Sequence, residues 1–197
     1  MKNGSAAPVT GREILDADGL GRTLARLAHE LIERTDDVSS LALVGIHTRG
    51  VPLARRLRRL VAERSGEEPL LGSVDIAFHR DDVFVRAGGA PLRAQPLVRG
   101  TELGFSLEGR TCVLVDDVLF TGRTVRAAID ALFDYGRPAR VQLAVLADRG
   151  HRELPIRPDY VGKNFPTHRD ERIHVQLVEI DEVDRVVLKS VAARKEQ

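Results

Sequence analysis

The sequence has little cysteine, few aromatic residues and no long apolar run. Its 197 residues include one cysteine (Cys112), no tryptophan and only 4% aromatic residues. A lone cysteine excludes an intramolecular disulfide framework and a cysteine-rich metal site, and the scarcity of aromatics argues against a broad base-stacking platform. No stretch approaches the ~18 apolar residues of a membrane-spanning helix, and residues 1–11 lack a signal-peptide pattern. We therefore expect a cytoplasmic protein with no membrane partner.

The sequence also lacks a net charge of either sign. It has 30 basic and 29 acidic side chains, which gives a formal net charge of +1. No overall field therefore attracts nucleic acid or an anionic membrane. Apolar residues make up 43% of the chain, which is enough for a core. At one domain per ~150 residues, the length predicts a single domain over residues 1–197.

Short apolar runs alternate with helical patterns along the chain. The runs are typical of strands that are covered on both faces. They lie at residues 41–46, 70–78, 111–118, 141–147 and 173–180, with a further short strand near 183–189. Helical spacing predicts helices over residues 20–33, after the loop at 47–50, and over about 124–135. This order predicts an α/β fold with a mainly parallel central sheet flanked by helices.

The segment VLVDDVLFTGRT, at residues 113–124, combines a strand end, two acids and a turn at a helix start. Asp116 and Asp117 end the apolar run, and Thr121, Gly122 and Thr124 follow. Backbone amides at a helix start bind anions, and carboxylates accept hydrogen bonds from sugar hydroxyls. The segment therefore predicts a sugar-phosphate site. The alternative is an ordinary strand–turn–helix in which an Asp caps the helix.

A second turn with anion-binding chemistry follows the first apolar run. Thr48, Arg49 and Gly50 lie between a predicted strand and a predicted helix. An arginine and free amides at a helix start suit an anion, although an ordinary turn has the same pattern. The carboxyl ends of parallel strands share one edge of a sheet, so we expect the loops at Thr48, Asp116 and Asp148 on a common rim.

The string DDVLFTGRT, at residues 116–124, resembles the 5-phosphoribosyl 1-pyrophosphate (PRPP) signature of type I phosphoribosyltransferases. Together with TRG and HRELPIRPDYVGKN (151–164), it resembles the subfamily of bifunctional pyrimidine operon attenuation regulators and uracil phosphoribosyltransferases, from residue 28 to about 180. The resemblance implies the type I phosphoribosyltransferase fold, with a small hood from the N-terminal arm and about 150–190. It also implies a flexible lid loop over about 79–106 and a homodimer or higher homo-oligomer.

The same resemblance implies roles for two loops. Asp116 and Asp117 would hold the ribose hydroxyls and, through these or through water, the Mg2+ that accompanies PRPP. With Arg49 they are the expected catalytic residues. The phosphate of PRPP or UMP would bind Val118, Leu119, Phe120, Thr121, Gly122, Arg123 and Thr124. The pyrophosphate would bind Thr48, Arg49 and Gly50, a turn that often contains a non-proline cis peptide in this family.

Further roles implied by the resemblance concern the base, the lid and RNA. Tyr160 would lie against the base, and the backbone of Val161 would read its edge. The lid would begin with Arg80, Asp81 and Asp82. When UMP is bound, the leader mRNA of a pyrimidine operon would contact His29, His151, Arg152 and Lys163.

The implied function has two parts: UMP-dependent binding of leader mRNA, which attenuates transcription, and conversion of uracil and PRPP into UMP and pyrophosphate. Phe120 stands where purine relatives place an acid, and it cannot transfer a proton. This argues against a purine substrate and against a side-chain general base in this loop. Two alternatives stay open: a salvage uracil phosphoribosyltransferase with RNA binding lost or altered, and a purine phosphoribosyltransferase. Ala25 stands where many members of the subfamily have threonine, beside the expected RNA surface. This difference keeps open the first alternative, in which RNA binding is lost or altered.

Overall fold

The protein forms two β-sheets with helices between and around them. We describe residues 11–77 and 100–190 of a computed structural model. The strands are β1 (Arg12–Leu15), β2 (Leu41–Ile46), β3 (Leu70–Val74), β4 (Thr111–Leu119), β5 (Arg140–Asp148), β6 (Tyr160–Asn164), β7 (Glu171–Gln176) and β8 (Arg185–Ser190). The helices are α1 (Ala17–Glu33), α2 (Gly50–Ser65), α3 (Arg123–Phe133) and the short α4 (Val178–Asp181), and a 3-10 turn covers Val38–Ser40.

The main sheet has five parallel strands in the order β3-β2-β4-β5-β6. All six residues of β2 are buried, as expected for a strand covered on both faces. Helices α1 and α2 pack on one face and α3 packs on the other, so two apolar clusters enclose the sheet. The predicted α/β architecture is therefore confirmed.

The hood sheet is a separate, antiparallel sheet with the order β1-β8-β7. Its residues Ile173, Val175 and Val186 join the apolar cluster that contains α1 and α2. This packing leaves the opposite face of β7 turned away from that core, because successive side chains of a strand point to opposite faces. Strand β7 also contacts β4 of the main sheet, so the two sheets meet.

Local signals in the sequence explain where α1 begins and which face it buries. Asp16 precedes the helix, and its carboxylate accepts a hydrogen bond from the Gly19 amide at 2.7 Å. The apolar positions that predicted the helix, Leu20 and Leu27 among them, are buried. No helix among the described residues is both long and apolar enough to cross a bilayer.

Three sequence predictions differ from the structure. The apolar run at 173–180 ends as a strand at Gln176, because the carboxylate of Asp181 accepts the Leu177 amide at 3.0 Å and α4 begins there. The run at 70–78 ends as a strand at Val74. Residues 160–164, which the sequence leaves without a strand, form the edge strand of the main sheet.

Two predicted segments lie wholly or partly outside the described residues. The start of the lid, with Arg80, Asp81 and Asp82, falls there, as does most of the N-terminal arm. The last part of the predicted lid is described and belongs to the fold. Glu102 exchanges two backbone hydrogen bonds of 2.9 Å with Ser73 at the edge of the main sheet.

Candidate active site

The loops after β2, β4 and β5 lie on one edge of the main sheet, as the sequence predicts. Strand β4 pairs in parallel with both β2 and β5, and Leu119 stands opposite Asp148 at the carboxyl ends. The start of α2 touches β4 directly, because a Cβ on Gly50 would lie only 2.1 Å from the carbonyl oxygen of Val115. Residues 48–50 are therefore neighbours of the acids at the end of β4.

Asp116 and Asp117 form an acidic pair at this edge, with Asp116 buried and Asp117 half-buried. Burial is the largest cause that raises the pKa of both carboxyls, and the neighbouring Asp117 raises that of Asp116 further. The charge of Arg49 opposes the shift at Asp117. Each carboxylate accepts the amide of the next residue at 2.9 Å, which fixes both side chains. Such a pair gains from a ligand that donates hydrogen bonds or brings positive charge.

Residues 120–124, which we call the phosphate loop, lead into α3. Gly122 has φ +94°, a left-handed conformation that favours glycine. The N-cap residue of α3 is this glycine, which has no side chain to cap the helix. The Thr121 hydroxyl accepts the Arg123 amide at 3.3 Å. The helix start and its dipole suit a phosphate group.

The turn at residues 48–50 also has the chemistry of an anion site. The peptide bond between His47 and Thr48 is cis, as the family resemblance implies. Arg49 directs its Nη2 group to Asp181, with distances of 2.8 and 3.1 Å to the two carboxylate oxygens. Among the described residues, Arg49 Nε and His47 Nε2 are buried polar atoms without a hydrogen-bond partner. Such atoms are rare in folded proteins and point to a ligand that would satisfy them.

One side chain of the hood sheet lies near the acids, and sequence reasoning missed it. His174 of β7 lies in the field of Asp117, which raises its pKa, but burial and the charges of Lys189, Arg172 and Arg49 lower it by more. The signal in the sequence is the alternation in β7, where polar residues occupy every second position. Charged side chains of the hood sheet therefore act on the same histidine as Arg49 and Asp117 of the rim.

Phe120 has a cation on its face. The guanidinium of Arg149 lies 4.0 Å from the Phe120 ring centroid, and the His151 ring meets its edge at 6.0 Å. Arg149 is buried, and it donates to the Thr167 hydroxyl at 3.1 Å and to the His168 carbonyl at 3.2 Å. Burial lowers the pKa of this arginine. Sequence reasoning missed Arg149 because no pattern shows which arginine is buried.

The prediction that Tyr160 lies against a bound base is wrong. Tyr160 is fully buried and begins β6, opposite Ala144 in the middle of β5. Its hydroxyl donates to the Gln142 side chain at 3.3 Å. The rim lies at the other end of this strand, where Asn164 stands opposite Asp148. The motif matches the family, but its first residue packs in the core.

The role of Val161 stays a prediction. Its carbonyl accepts a hydrogen bond of 3.0 Å from Arg26, which bonds the carbonyl of Gly162 as well. Arg34, which follows α1, donates to the carbonyl of Asp159 at 3.1 Å. A carbonyl oxygen accepts up to two hydrogen bonds, so the contact with Arg26 leaves room for a ligand at Val161.

The four predicted RNA contacts fall into two groups. His29 and Lys163 are exposed, on α1 and on the neighbouring strand β6. His151 and Arg152 lie in the loop after β5 and bond to the protein itself. The His151 ring bonds the Thr167 carbonyl at 2.7 Å, and Arg152 bonds four acceptors.

The acidic pair fits a divalent cation that a substrate helps to hold. No group of three or more His, Cys, Asp or Glu side chains among the described residues could hold a metal by itself. Asp116 is buried and Asp117 is half-buried, and both lie beside a turn that has the chemistry of an anion site. Mg2+ binds to one or two carboxylates and keeps substrate phosphate oxygens and water as its other ligands. The pair therefore fits Mg2+ bound together with a phosphorylated substrate.

Comparison with known sequences agrees with this site. Residues 10–179 match the family model described as phosphoribosyl transferase domain. The chain is 54% identical over 180 residues to the bifunctional protein PyrR of Pelotomaculum thermopropionicum, covering 91% of this chain and 96% of that protein. It is 53% identical over 176 residues to the protein of the same name from Thermus thermophilus, covering 89% and 94%.

Solved structures of phosphoribosyltransferases have the same fold. The HGPRT-ase of Leishmania tarentolae in complex with GMP superposes with a TM-score of 0.66 and 17% identity, covering 96% of this chain and 100% of that chain. A hypoxanthine phosphoribosyltransferase from Staphylococcus aureus has a TM-score of 0.66 and 17% identity, with 94% of each chain covered. At these identities the likeness concerns the fold alone.

Proposed function

Because the chain belongs to the phosphoribosyl transferase domain family, and within it to the proteins named bifunctional protein PyrR, we propose that it transfers a phosphoribosyl group from PRPP to uracil and binds the leader RNA of a pyrimidine operon when UMP is bound. The observation that carries the proposal is the arrangement of the rim. Two loops with the chemistry of anion sites lie beside the acidic pair Asp116 and Asp117.

PRPP matches this arrangement group by group. It has a phosphate at one end of the ribose, a pyrophosphate at the other, and two hydroxyls between them. The phosphate loop suits the 5′-phosphate, and the turn at residues 48–50 suits the pyrophosphate. Asp116 and Asp117 accept hydrogen bonds from the ribose hydroxyls, which offsets the cost of burying these carboxyls.

In the reaction, the bond from C1′ to pyrophosphate breaks as uracil N1 bonds to C1′. The transition state resembles an oxocarbenium ion, as in other glycosyl transfers. Arg49 and the amides beside it stabilise the departing diphosphate. The N1 proton passes to water or to pyrophosphate, because Phe120 offers no acceptor. Bound Mg2+ would neutralise pyrophosphate oxygens.

The decisive test of the enzyme is pyrophosphate release from PRPP in the presence of uracil and Mg2+. We expect Asp117→Asn to reduce turnover about 100-fold or more, since the charge that faces the developing cation is lost. Asp130→Asn is the control, because Asp130 is exposed on α3 and, among the described residues, pairs with Arg126 alone, at 3.5 Å. Full turnover in Asp117→Asn would refute the assignment of the site.

A purine substrate is the second candidate, and Phe120 argues against it. The Phe120 ring packs against the guanidinium of Arg149, so an arginine and not an acid lies beside the phosphate loop. We expect uracil to be the preferred base in a panel with hypoxanthine, guanine and xanthine. Turnover with a purine and none with uracil would overturn the choice of base.

The RNA part of the proposal is supported by the names of the relatives and by the exposed His29 and Lys163. A gel shift with the leader transcript at fixed salt, with and without UMP, tests it. We expect tighter binding with UMP. If the transcript does not bind with or without UMP, the remaining function is that of a salvage uracil phosphoribosyltransferase. The expected homodimer or higher homo-oligomer stays a prediction.

A further inference from the structure

We propose that Asp181 is a positioning residue for Arg49, because its carboxylate fixes the guanidinium in the orientation that receives the pyrophosphate of PRPP. The inference rests on the proposed function and deepens it, since it adds to the pyrophosphate site a residue from outside the turn at 48–50. Asp181 is the last residue of α4, which follows the hood strand β7. It is 132 residues away from Arg49 in the sequence, so only the fold brings the two together.

The contact with Asp181 holds one nitrogen of the Arg49 side chain and leaves another unused. Arg49 Nη2 donates to the two carboxylate oxygens of Asp181, at 2.8 Å and 3.1 Å. Nε of the same side chain is buried and has no hydrogen-bond partner among the described residues. Because a guanidinium is planar and rigid, fixing Nη2 also fixes the direction of the Nε–H bond. An anion that accepts this hydrogen bond removes the cost of a buried, unpaired donor.

The carboxylate of Asp181 is itself held in place, so it can serve as an anchor. It accepts the Leu177 amide at 3.0 Å, and the Asp181 amide donates to the Leu177 carbonyl at 2.7 Å. Leu177 is fully buried in the apolar cluster that contains α1 and α2. Only 14% of the Asp181 side chain is exposed. The core therefore fixes Asp181, and Asp181 restricts a long side chain that would otherwise adopt many rotamers.

The contact leaves Arg49 able to bind an anion. Arginine has five N–H donors, and the bonds to Asp181 use those of Nη2. An anion that displaced Asp181 would leave a mostly buried carboxylate without its cation, which is costly. We therefore expect the pyrophosphate to bind beside Asp181 and not in its place. Because Arg49 is already held, less rotamer freedom is lost when the anion binds, and this strengthens the binding of PRPP.

The test compares Asp181→Asn with Glu182→Gln, which removes the same charge one residue further along the chain. Glu182 is exposed and has no hydrogen bond or ion pair with the described residues. Calorimetry measures the binding of PRPP with Mg2+, in the absence of uracil, and the binding of UMP. We expect Asp181→Asn to bind PRPP roughly tenfold more weakly and UMP within about twofold of the wild type, since UMP has no pyrophosphate. Glu182→Gln should bind both ligands like the wild type.

Glu179→Gln separates the positioning of Arg49 from a general effect on α4. Glu179 lies on the same short helix and accepts a hydrogen bond of 2.8 Å from Arg56 Nε. Its substitution should lower Tm and leave the affinity for PRPP unchanged. If Glu179→Gln weakened PRPP binding as much as Asp181→Asn, Asp181 would act only by keeping α4 in place, and the proposal would be wrong.

A double-mutant cycle with Arg49→Ala identifies the residue through which Asp181 acts. Arg49→Ala should weaken PRPP binding, and adding Asp181→Asn should not weaken it further, because the side chain to be positioned is absent. The proposal is wrong if the two losses multiply. It is also wrong if Asp181→Asn alone binds PRPP as tightly as the wild type or more tightly, because Asp181 would then be neutral or would compete with the anion.

Asp181→Glu keeps the test valid if Asp181→Asn does not fold. The glutamate keeps the charge and moves the carboxylate by one methylene, so we expect a smaller loss of PRPP affinity in the same direction. Unchanged PRPP affinity in Asp181→Glu, with the circular dichroism of the wild type, would count against the proposal. If the wild type bound PRPP but formed no UMP from uracil, the proposed activity would fail, and the PRPP titrations would still decide the role of Asp181.

Discussion

Gly50 is the residue that brings the turn at 48–50 against the strand that bears the acids. An added Cβ there would lie 2.1 Å from the Val115 carbonyl oxygen and 3.4 Å from the Cα of Asp116. The neighbouring Gly45 has the same constraint, because its Cβ would lie 2.5 Å from the Cα of Val51. The contact is between backbones, so no flexible side chain can move aside to relieve it.

We expect Gly50→Ala to lower the free energy of unfolding by about 2–3 kcal/mol and to remove most turnover, because α2 must move away from β4. Gly21→Ala is the matched control. Gly21 lies in the middle of α1 with nothing within 4 Å of an added Cβ, so the change should stabilise the protein by up to about 1 kcal/mol. Urea unfolding followed by circular dichroism measures both. Equal midpoints for Gly50→Ala and the wild type would contradict the close contact.

At the scale of residues, the sequence shows which loops reach the rim but not what each side chain bonds to. The placement of Thr48, Asp116 and Asp148 at one edge follows from strand order and is confirmed. Tyr160 was misplaced because a motif does not tell which end of a strand its residues occupy. The partners of Arg152 are mostly backbone carbonyls, which have no signature in a sequence.

At the scale of elements, α2 holds the segment 177–184 through charge. Arg56 donates to Glu179 from Nε at 2.8 Å and to Asp184 from Nη1 at 2.8 Å. Two turns earlier on the same helix, Arg49 holds Asp181. Helix α4 has only four residues and exposes large apolar side chains such as Ile180. Its position therefore depends on these ion pairs.

These pairs predict a pH dependence of stability. The hydrogen bond from Arg56 lowers the pKa of Glu179 below its ordinary 4.5. Burial alone would raise the pKa of Asp184, but hydrogen bonds from Arg56 and the Val178 amide bring it below 3.8. Because both folded-state values lie below the unfolded ones, the contribution to stability is present above about pH 4.5 and disappears as pH falls through the folded-state values.

We expect Arg56→Gln to lower Tm at pH 7 and to approach the wild type only at acidic pH, once the pH has fallen through the lowered folded-state pKa values of Glu179 and Asp184. Melting curves across this range measure the difference. Arg64→Gln is the control, because Arg64 is exposed and bonds only the Leu60 carbonyl of its own helix. A difference in Tm between Arg56→Gln and the wild type that stayed the same at every pH would show that Arg56 acts by packing and not by charge.

The elements that the sequence predicted best are the central strands. β2, β4 and β5 are apolar because helices cover both faces of the sheet, and this produces an uninterrupted pattern. β1 and β6 were missed because they are short edge strands with exposed, partly charged residues. Edge strands lack the burial that makes a strand visible in sequence.

At the scale of the whole molecule, the neutral charge sum does not show where charges of one sign gather. The net charge is +1, yet Arg172 and Lys189 of the hood sheet lie close enough to His174 to lower its pKa. A sum cannot report this arrangement, because it arises only when the strands of the hood sheet pair. Asp116, Asp117 and the two loops beside them suit a ligand that has several negative charges and hydroxyl groups.

Such a ligand should stabilise the folded protein, because the unfolded chain does not bring these loops together. At about 100 times its Kd, UMP should add about 2.7 kcal/mol to the free energy of unfolding, and this raises Tm by roughly 5–10 °C. Uridine at the same concentration should have a much smaller effect, since it leaves the phosphate loop empty. Thermal shift assays compare the two. Equal shifts would mean that the phosphate does not anchor the nucleotide.

The hood sheet joins two distant stretches of sequence, since Arg12 of β1 pairs with Leu188 of β8 and β8 pairs with β7. Anything fused close to either flank therefore attaches to strands that belong to the same sheet as His174. Purification tags differ in size and charge, so the strand beside which a tag is attached becomes one of the variables of an activity assay. If preparations tagged near β1 and near β8 differ in specific activity, the effect of the attachment site is tested first, before any difference in protein quality.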